Sequence, residues 1–587
     1  MISYPTEMKI LLLAIATVAV CGGAPPMDVT VEHGVKVTMR DGVGLRADIY
    51  RPKQEGRYPV LLQRTPYNKA GGADFGMRAA ASGYVAIIQD VRGRYSSEGE
   101  WYPFKWESQD GFDTVEWAAV LPYSNGKVGM WGGSYVGATQ MLAAIAHPPH
   151  LAGICPVVTA SNYHSNWTYQ GGAFEQWFNE SWTSGLAQDT LNREIQTETN
   201  AMNGAWKLPL TAYPLFNAQV KLDSPESLAP YFLDWLAHPN YDDYWKKWSI
   251  EDHWPEIQVP ALHVAAWYDI FQGGSLKNYV GLKEHARNEA ARRGQRLLVI
   301  IGGHAGGGRQ IGDVDFGAVA ADYNEAQVAL DWYDFLFKGV QNGFAKKPVR
   351  IFVMGANEWR DEDEWPLKRS KSVKYFLHST KAANSLRGDG ALSAEAPGAE
   401  SVDQFVYDPT NPVPTTGGPL CCDSNHLPAG PRDQRAVEAR DDVLVYSTPV
   451  LERDTEVTGH VTLELWAKST AVDTDFTAKL VDVWPNGFAQ NLTEGIVRAK
   501  YRDSQEKPEL MNPGEIYKLA LDLWSTSNVF KKGHRIRLEI SSSNFPRFDR
   551  NLNTGESGQF ATRSVTATNG VVHDGDHPSV LLLPVVP

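Results

Sequence analysis

A serine among glycines follows a short apolar run in the stretch GMWGGSYVGATQ, residues 129–140. Gly132 lies two positions before Ser134, and Gly137 lies three positions after it. The spacing is close to the G-x-S-x-G pattern of a nucleophile elbow, a sharp strand-to-helix turn that exposes a serine hydroxyl, although the second glycine comes one position late. A dinucleotide-binding turn fits less well because the spacing lacks G-x-G-x-x-G. The stretch therefore predicts a nucleophilic serine, with a plain glycine-rich turn as the alternative.

Two more polar residues end apolar runs, since Asp269 ends VPALHVAAWYD and His304 ends QRLLVIIGGH. A serine hydroxyl becomes a good nucleophile when an imidazole takes its proton, and the imidazole needs a carboxylate that fixes its tautomer and stabilises its cation. The chain order serine, aspartate, histidine is that of the α/β-hydrolases. We therefore predict that Ser134, Asp269 and His304 form a catalytic triad. His263 lies inside an apolar run and is interpreted as a core histidine.

These residues need a scaffold that brings the ends of distant segments together. Apolar runs alternate with amphipathic helical patterns, which predicts a parallel sheet covered by helices on both faces. Functional groups of such sheets gather beyond the carboxyl ends of the strands. Strands are predicted at 58–67, 83–93, 126–134, 259–269 and 295–304, and helices at 110–122, 134–148 and 322–339.

The pattern changes twice along the chain. Residues 166–250 are rich in aromatics and helical in period, without strand candidates. We predict that they form a helical cap inserted between residues 28–165 and 251–372, which together form an α/β-hydrolase domain. Residues 373–587 consist of short alternating runs divided by turns, which predicts an antiparallel β-sandwich of jelly-roll type.

The N-terminus carries the apolar segment ILLLAIATVAV after Lys9. Its length and flanks are typical of a secretory signal, and it is too short to span a bilayer. Residues 1–27 are therefore interpreted as a signal segment, and the protein as exported, either periplasmic or secreted. Cys21 is a candidate site for a lipid anchor. No other run is long enough to predict a transmembrane helix.

The composition excludes some functions. The chain has 587 residues and a formal net charge of −14, so no basic surface for nucleic acid is predicted. Four cysteines are too few for a disulfide scaffold, and no Cys/His spacing suggests a metal site. Cys155 is interpreted as a buried apolar residue. The neighbours Cys421 and Cys422 either bond to each other, or one of them pairs elsewhere.

Several segments resemble the cocaine esterase and Xaa-Pro dipeptidyl-peptidase family of serine hydrolases, which includes α-amino-acid ester hydrolases and glutaryl acylases. They are GGSYVG, RTPYNK, QDVRGRYSSEGEW, GFDTVEWAA, AAWYDIFQGGSL and DTDFTAKLVDVWPNG, in the family's order. The resemblance implies a hydrolase core, an inserted helical cap and a jelly roll. It also implies that Ser134 is the nucleophile, Asp269 the acid and His304 the base. By the same resemblance, the phenol of Tyr67 and the backbone N–H of Tyr135 form the oxyanion hole.

The sequence and the family resemblance suggest roles for two further groups of residues. Aromatic residues of the inserted segment are candidates for an acyl pocket, although aromatic residues on a helical insertion more often form its core: Trp167, Trp177, Phe178 and Trp182. Charged residues in QDVRGR are interpreted as a structural ion-pair cluster behind the active site: Asp90, Arg92 and Arg94.

The sequence thus predicts a serine hydrolase that cleaves a small-molecule ester or amide through an acyl-enzyme, without cofactor or metal. Family members that prefer α-amino acyl groups carry carboxylates near the triad acid to hold an ammonium group, whereas IFQGG follows Asp269 in this chain. An esterase or acylase for bulky apolar acyl groups is therefore favoured over an Xaa-Pro dipeptidyl-peptidase. A non-catalytic protein that binds a glycan or polymer is the alternative from another class. Assembly into a homo-oligomer is left open.

Overall fold

The computed structural model describes residues 26–203, 228–556 and 561–587. Residues 1–25 of the predicted signal segment, which include Cys21, lie outside the described residues. Export and a lipid anchor therefore stay predictions. Within the described ranges, no helix is both long and apolar enough to cross a bilayer.

Strands and helices alternate through the first part of the chain, and strands dominate after residue 371. The strands of the first part are β1 (Val29–Thr38), β2 (Gly44–Pro52), β3 (Tyr58–Thr65), β4 (Val85–Asp90), β5 (Ser124–Gly133), β6 (Leu151–Val157), β7 (Tyr169–Gln170), β8 (Ala173–Phe174), β9 (Leu262–Tyr268), β10 (Arg296–Gly303), β11 (Gly306–Gly307), β12 (Gln310–Ile311), β13 (Val314–Asp315), β14 (Val349–Val353) and β15 (Glu358–Glu362). The α-helices are α1 (Ala73–Ala81), α2 (Glu107–Ala119), α3 (Tyr135–Ile145), α4 (Gln176–Asn203), α5 (Pro230–Ala237), α6 (Asp243–Lys246), α7 (Gln272–His285), α8 (Glu289–Arg293), α9 (Glu325–Lys338), α10 (Gly343–Lys346) and α11 (Arg435–Glu438). Short 3₁₀ or π turns lie at Lys69–Gly72, His164–Thr168, Glu251–Glu256, Ala318–Asp322 and Ala499–Tyr501.

The strands of the first part form one large mixed sheet. Its order is β1-β2-β4-β3-β5-β6-β9-β10-β14-β15, with β11 paired to β10. The central strands from β4 to β14 run parallel, and the edge strands pair antiparallel. Every position of β4 and β9 is buried, which is typical of parallel strands covered on both faces. The predicted parallel sheet is confirmed at its centre, whereas the sequence pattern does not predict the antiparallel edges.

The three residues predicted as a triad each follow a strand of this sheet directly. Ser134 follows β5, Asp269 follows β9 and His304 follows β10. Strands β9 and β10 are neighbours, and only β6 separates β9 from β5. Since these strands run parallel, their carboxyl ends meet at one edge of the sheet, which brings the three residues together.

The segment between β6 and β9 is mainly helical where the structure describes it. It contains α4, α5 and α6, and a short ribbon of β7 and β8 that the periodicity does not predict. Its indole side chains fill a shared core, with Trp167, Trp235 and Trp245 fully buried. Residues 204–227 of the predicted cap lie outside the described residues. The bounds 166–250 of a separate cap stay a prediction.

The chain after residue 371 forms a second large sheet. Its strands are β16 (Lys371–His378), β17 (Ala391–Ser393), β18 (Asp403–Tyr407), β19 (Leu444–Ser447), β20 (Thr455–Ser469), β21 (Asp475–Val483), β22 (Ala489–Arg498), β23 (Tyr517–Phe530), β24 (Arg535–Ser541), β25 (Ala567–Val572) and β26 (Val580–Val586). The order is β18-β25-β20-β26-β16-β17-β19-β24-β21-β22, with β23 paired to β20. The predicted sheet-rich C-terminal domain is confirmed, and the jelly-roll topology stays a prediction.

The C-terminal sheet holds the turn that carries Asp269. The Tyr268 hydroxyl donates to the Asn491 carbonyl oxygen at 2.9 Å. Gln272 exchanges two hydrogen bonds with the backbone of Ser525, at 2.5 and 3.1 Å. These contacts flank the aspartate on both sides, so the second sheet fixes the position of a residue that the first sheet carries.

Candidate active site

Ser134 occupies the sharp turn between β5 and α3. Its φ of 60° and ψ of −127° fall in a region that non-glycine residues rarely adopt. A Cβ at Gly132 would lie 2.4 Å from Val136 Cγ1, and a Cβ at Gly137 would lie 2.7 Å from Thr159 Cβ. Side chains at either position would therefore clash with the turn or with its support. The late second glycine serves close packing against the segment after β6, and the half-buried serine faces the cleft.

Asp269 and His304 form a hydrogen-bonded pair, with Nδ1 of the histidine 2.7 Å from Oδ1 of the aspartate. The aspartate side chain is fully buried, whereas the histidine side chain is 16% exposed. The other carboxylate oxygen accepts the backbone N–H of Phe271 at 3.0 Å. A carboxylate on Nδ1 makes that nitrogen the donor, so Nε2 is left as the site that can take a proton.

The Ser134 hydroxyl contacts the oxyanion side of the cleft. The Ser134 hydroxyl lowers the pKa of the neighbouring Tyr67 phenol, and no hydrogen bond joins it to His304 among the described residues. Catalytic hydrogen bonds often tighten only when substrate is bound. The hydrogen bond from Ser134 to His304 stays a prediction.

The two oxyanion donors predicted from the resemblance converge beside the serine. Desolvation of its hydroxyl raises the pKa of the Tyr67 phenol, and the Trp182 indole, the Ser134 hydroxyl and the Tyr135 backbone N–H oppose that rise. The indole nitrogen of Trp182 lies 2.9 Å from the phenol oxygen. Tyr135 is the first residue of α3, so its N–H has no acceptor within the helix. The phenol thus stays protonated, and the oxyanion role of both groups stays a prediction.

The loop that carries Tyr67 is held by two buried charges. Asp90 Oδ1 accepts the Lys69 backbone N–H at 2.7 Å, and Arg94 Nε donates to the Pro66 carbonyl oxygen at 3.1 Å. These two residues and Arg92 do not form one ion-pair cluster as the sequence interpretation had it. Asp90 and Arg94 hold the same loop through its backbone, and Arg92 pairs with Asp41 and Asp110.

The partners of Arg92 and Arg94 show this separation. Arg92 pairs with Asp110 and Asp41, each at 2.7 Å. Arg94 donates to the Leu186 carbonyl oxygen at 2.9 Å, which connects the oxyanion loop to α4. Asp90 and Arg94 thus position the Tyr67 loop, whereas Arg92 pairs with carboxylates elsewhere.

A buried polar chain holds the side chain of Tyr135 beneath the serine. Its hydroxyl donates to Glu107 Oε1 at 3.0 Å and accepts the Phe104 backbone N–H at 2.7 Å. Glu107 Oε2 accepts from Arg64 at 2.6 Å. Burial raises the pKa of Glu107, and the guanidinium of Arg64 opposes that rise. The sequence reasoning missed this support, because residues 64, 107 and 135 belong to separate elements with no shared motif.

An aromatic cluster lies against the histidine. Phe271 meets the ring of His304 edge-on, with centroids 5.2 Å apart, and stacks on Trp167 at 4.3 Å. Phe178 and Trp182 contact Trp167 edge-on at 5.4 and 5.6 Å. Three of the four predicted pocket residues therefore come together. Phe271 was missed, although an aromatic residue two positions after the triad acid is a usable signal.

Trp177 lies apart from these rings. Its backbone N–H donates to the Pro546 carbonyl oxygen at 3.0 Å, in the C-terminal part of the chain. No ring contact in the described residues joins it to the other aromatic residues of the cluster. Its neighbour Phe178 faces the cluster instead, because adjacent helical residues point about 100° apart.

His263 is the remaining titratable candidate, and its surroundings are those of a residue with a structural role. His263 is buried, with its Nε2 2.9 Å from Gln295 Oε1, and burial lowers its pKa to about 4. It is a core histidine, as the sequence predicts. Across residues 26–203, 228–556 and 561–587, no group of three His, Cys, Asp or Glu side chains could hold a metal ion. That the reaction needs no cofactor stays a prediction.

A mostly parallel sheet with helices, a serine at a strand-to-helix turn and a sheet-rich C-terminal domain define an α/β-hydrolase-like class of protein. Two family models match the chain. The model for X-Pro dipeptidyl-peptidase (S15 family) matches residues 41–306, and the model for the X-Pro dipeptidyl-peptidase C-terminal non-catalytic domain matches residues 342–582.

A cocaine esterase from Rhodococcus sp. (strain MB1 Bresler) is 38% identical to the chain over 587 residues, which cover 95% of this chain and 99% of that protein. The chain belongs to the family of cocaine esterase and the X-Pro dipeptidyl-peptidases.

Two solved structures share the whole fold. An aminopeptidase from a marine sediment archaeon, Thaumarchaeota archaeon, has a TM-score of 0.81 at 24% identity, covering 96% of this chain and 97% of its own. An α-amino acid ester hydrolase has a TM-score of 0.76 at 23% identity, covering 98% of this chain and 100% of its own. At these identities the likeness concerns the fold alone.

Proposed function

We propose that this protein is a serine hydrolase that cleaves esters of bulky, largely apolar acyl groups through an acyl-enzyme. The observation that carries the proposal is the hydrogen bond of 2.7 Å between His304 and the buried Asp269, at the strand edge that also holds Ser134. An imidazole with a fixed tautomer beside a serine in a strained turn is the arrangement that general-base activation of a hydroxyl requires.

The chemistry proceeds in two acyl transfers. Ser134 Oγ attacks the ester carbonyl while His304 Nε2 takes the hydroxyl proton. The carbonyl oxygen becomes an alkoxide, which accepts hydrogen bonds from the phenol of Tyr67 and the N–H of Tyr135. One such donor contributes about 3 kcal/mol to the stability of the transition state. The imidazolium then protonates the leaving alcohol, and water repeats both steps on the acyl-enzyme to release the acid.

The aromatic cluster supports a bulky acyl group. Phe271 joins the rings of Trp167 and Phe178 to the edge of His304, and these three rings are buried, so an acyl group beside His304 would border an apolar core. Aromatic walls stabilise bound rings by area and by edge-to-face contact. The 38% identical relative is named as an esterase, which supports an ester rather than an amide.

A second candidate is an Xaa-Pro dipeptidyl-peptidase. The family models carry that description, and the same triad would cleave an amide. Peptide substrates would bring a charged N-terminal ammonium group into the cleft. The residues after Asp269 are Ile270, Phe271 and Gln272, which offer no carboxylate to pair with it, so we favour the ester.

A fluorophosphonate probe tests the nucleophile. We expect the probe to label the wild-type protein at Ser134, and Ser134→Ala to lose both the label and ester hydrolysis, with kcat falling roughly 10⁶-fold. Ser379→Ala is the matched control, because Ser379 also lies near a histidine and an aspartate. Labelling that persists in Ser134→Ala would contradict the proposal.

The choice between ester and peptide rests on a substrate panel. Purified protein is compared on nitrophenyl esters of increasing acyl size and on dipeptidyl-Pro amides. We expect kcat/KM to rise with acyl size and to exceed that of the amides. A large preference for the amides would establish the peptidase instead.

A further inference from the structure

A loop of the C-terminal part packs against the segment that carries His304. Two backbone hydrogen bonds between Gly418 and Gly430, of 2.8 and 2.9 Å, close this loop, called the 418–430 loop. A Cβ placed on Gly303 would lie 3.7 Å from the Cβ of Ala429. The loop therefore lies directly beside the residue that precedes the histidine.

The base of the 418–430 loop is tied to the same segment. The Asp313 backbone N–H donates to the Pro431 carbonyl oxygen at 2.8 Å, and the Asp313 carboxylate pairs with Arg432 at 2.5 Å. The loop and the histidine segment thus hold a defined relative position.

Cys421 anchors the loop in the large apolar core that the first sheet and the helical segment share. It is 7% exposed and belongs to the same continuous apolar cluster as Trp167 and Phe271. Every other buried member of that cluster lies between Val37 and Ala291. Among the described buried apolar residues, Cys421 is therefore the one from the C-terminal part that belongs to the core containing Trp167 and Phe271.

A disulfide joins Cys421 to Cys422, which settles the alternative that the sequence left open. Cys422 is exposed and has a φ of 77°, in a region that non-glycine residues rarely adopt. Because the bond closes a small ring through the peptide between the two residues, Cys421 cannot change its rotamer alone. One end of the ring contacts the cluster, and the other end is open to a reductant in solvent.

We infer that the Cys421–Cys422 disulfide is a redox-sensitive wall of the acyl cleft, which favours bulky acyl groups while the bond is intact. The inference rests on the proposed hydrolase function and adds regulation by thiol–disulfide exchange. A dithiol attacks the bond, passes two electrons and two protons to the pair, and becomes a cyclic disulfide, while Cys421 and Cys422 become two thiols. The freed Cys421 side chain then leaves the cluster.

The expected effect is selective for acyl size. A benzoyl group loses an apolar contact when the wall opens, whereas an acetyl group is too short to reach it. Reduction with dithiothreitol is expected to raise KM for nitrophenyl benzoate about tenfold, the effect of one methylene-sized contact in an apolar pocket. KM for nitrophenyl acetate and kcat for both esters should stay unchanged.

Cysteine variants distinguish the effect of reducing this disulfide from any effect of Cys155, the free cysteine of the described residues. Cys421→Ser combined with Cys422→Ser should match the reduced wild type and no longer respond to dithiothreitol. Cys155→Ala is the control and should respond as wild type does, because Cys155 is buried and burial raises the pKa of its thiol. Alkylation followed by mass spectrometry of the peptide reports the state of the pair.

Three outcomes would overturn the inference: a pair that is not oxidised in the native protein, a pair that dithiothreitol does not reduce without unfolding, or a reduced pair with both KM values unchanged. Failure of the proposed function looks different, since no ester would be hydrolysed in either state. In that case, binding of phenyl benzoate to Ser134→Ala, followed by tryptophan fluorescence, decides the inference. Weaker binding after reduction supports it, and equal binding overturns it.

Discussion

His304 and His573 each form a hydrogen bond with an aspartate, and each has a serine nearby, but the surroundings of the two histidines differ. His304 has Asp269 on Nδ1 at 2.7 Å, and its Nε2 has no hydrogen-bond partner among the described residues. His573 has carboxylates on both nitrogens, with Glu400 3.0 Å from Nδ1 and Asp403 2.9 Å from Nε2. The first imidazole keeps a nitrogen that can take a proton from a hydroxyl, and the second does not.

The two serines differ in a parallel way. Ser134 lies half-buried in a turn whose φ is 60°. Ser379 is buried, and its hydroxyl donates to Asp403 Oδ1 at 2.8 Å, so its oxygen has no open cleft in front of it. The comparison teaches that the three residue types do not make a catalyst by themselves. An open hydroxyl, oxyanion donors and a free imidazole nitrogen are needed as well.

The largest expected difference between the two regions is in kcat, when the carboxylate of each histidine–aspartate pair is replaced by an amide. Asp269→Asn presents an amide to Nδ1 and favours the wrong tautomer of His304, so kcat on a nitrophenyl ester should fall about 10⁴-fold. Asp403→Asn should lower Tm and leave kcat unchanged, because it lies outside the proposed site. Steady-state kinetics and thermal denaturation check both variants. Similar losses of kcat in the two variants would remove the distinction between the regions.

The next effect concerns the oxyanion donors, which only the first region has. Tyr67→Phe removes one donor to the developing alkoxide, so kcat should fall roughly 10²- to 10³-fold with little change in KM. The control is Tyr375→Phe, in the C-terminal sheet, which should leave both constants unchanged. A rise in KM without loss of kcat would assign Tyr67 to ground-state binding and would falsify its role as an oxyanion donor.

The smallest effect concerns stability in the second region. Burial lowers the pKa of His573, but the hydrogen bond and charge of Asp403 and the charge of Glu400 outweigh it, so the pKa is raised. His378 also binds Glu400, and the Tyr446 hydroxyl donates to Asp403. A raised histidine pKa stabilises the fold fully below the ordinary value of about 6.5, and this stabilisation is lost as pH rises through the folded-state pKa.

The measurement is Tm against pH for the wild type and His573→Gln. The difference in Tm should be largest near pH 6 and should shrink as pH rises, by roughly 1 °C for each kcal/mol lost in a chain of 587 residues. Ester hydrolysis by His573→Gln at neutral pH should equal that of the wild type. A difference in Tm that stays constant or grows with pH would contradict a charged His573.

Local pattern accounts for what could be predicted about the fold. The strands that lead to Ser134, Asp269 and His304 are read from continuous apolar runs, because parallel strands buried on both faces need them. The positions after those runs are polar, which marks the carboxyl edge of the sheet. The antiparallel edge strands were not predicted, since an edge strand has no such continuous apolar signal.

Long-range packing accounts for what was missed at the site. Trp177 and Phe178 are neighbours in sequence, and only the orientation of α4 decides that Phe178 faces the aromatic cluster. Glu107 supports Tyr135 across elements that share no motif. The partners of Arg92 and Arg94 likewise depend on where distant loops pass.

The sequence by itself determined the family, the sheet-forming segments and the residue types that can do acyl-transfer chemistry, because these follow from short motifs and periodicity. Only the tertiary structure decided which histidine keeps a free nitrogen, which aromatic rings reach the proposed acyl site and where the Cys421–Cys422 pair lies. Those outcomes depend on side chains more than a hundred positions apart that meet only when the two sheets and the helical segment pack together.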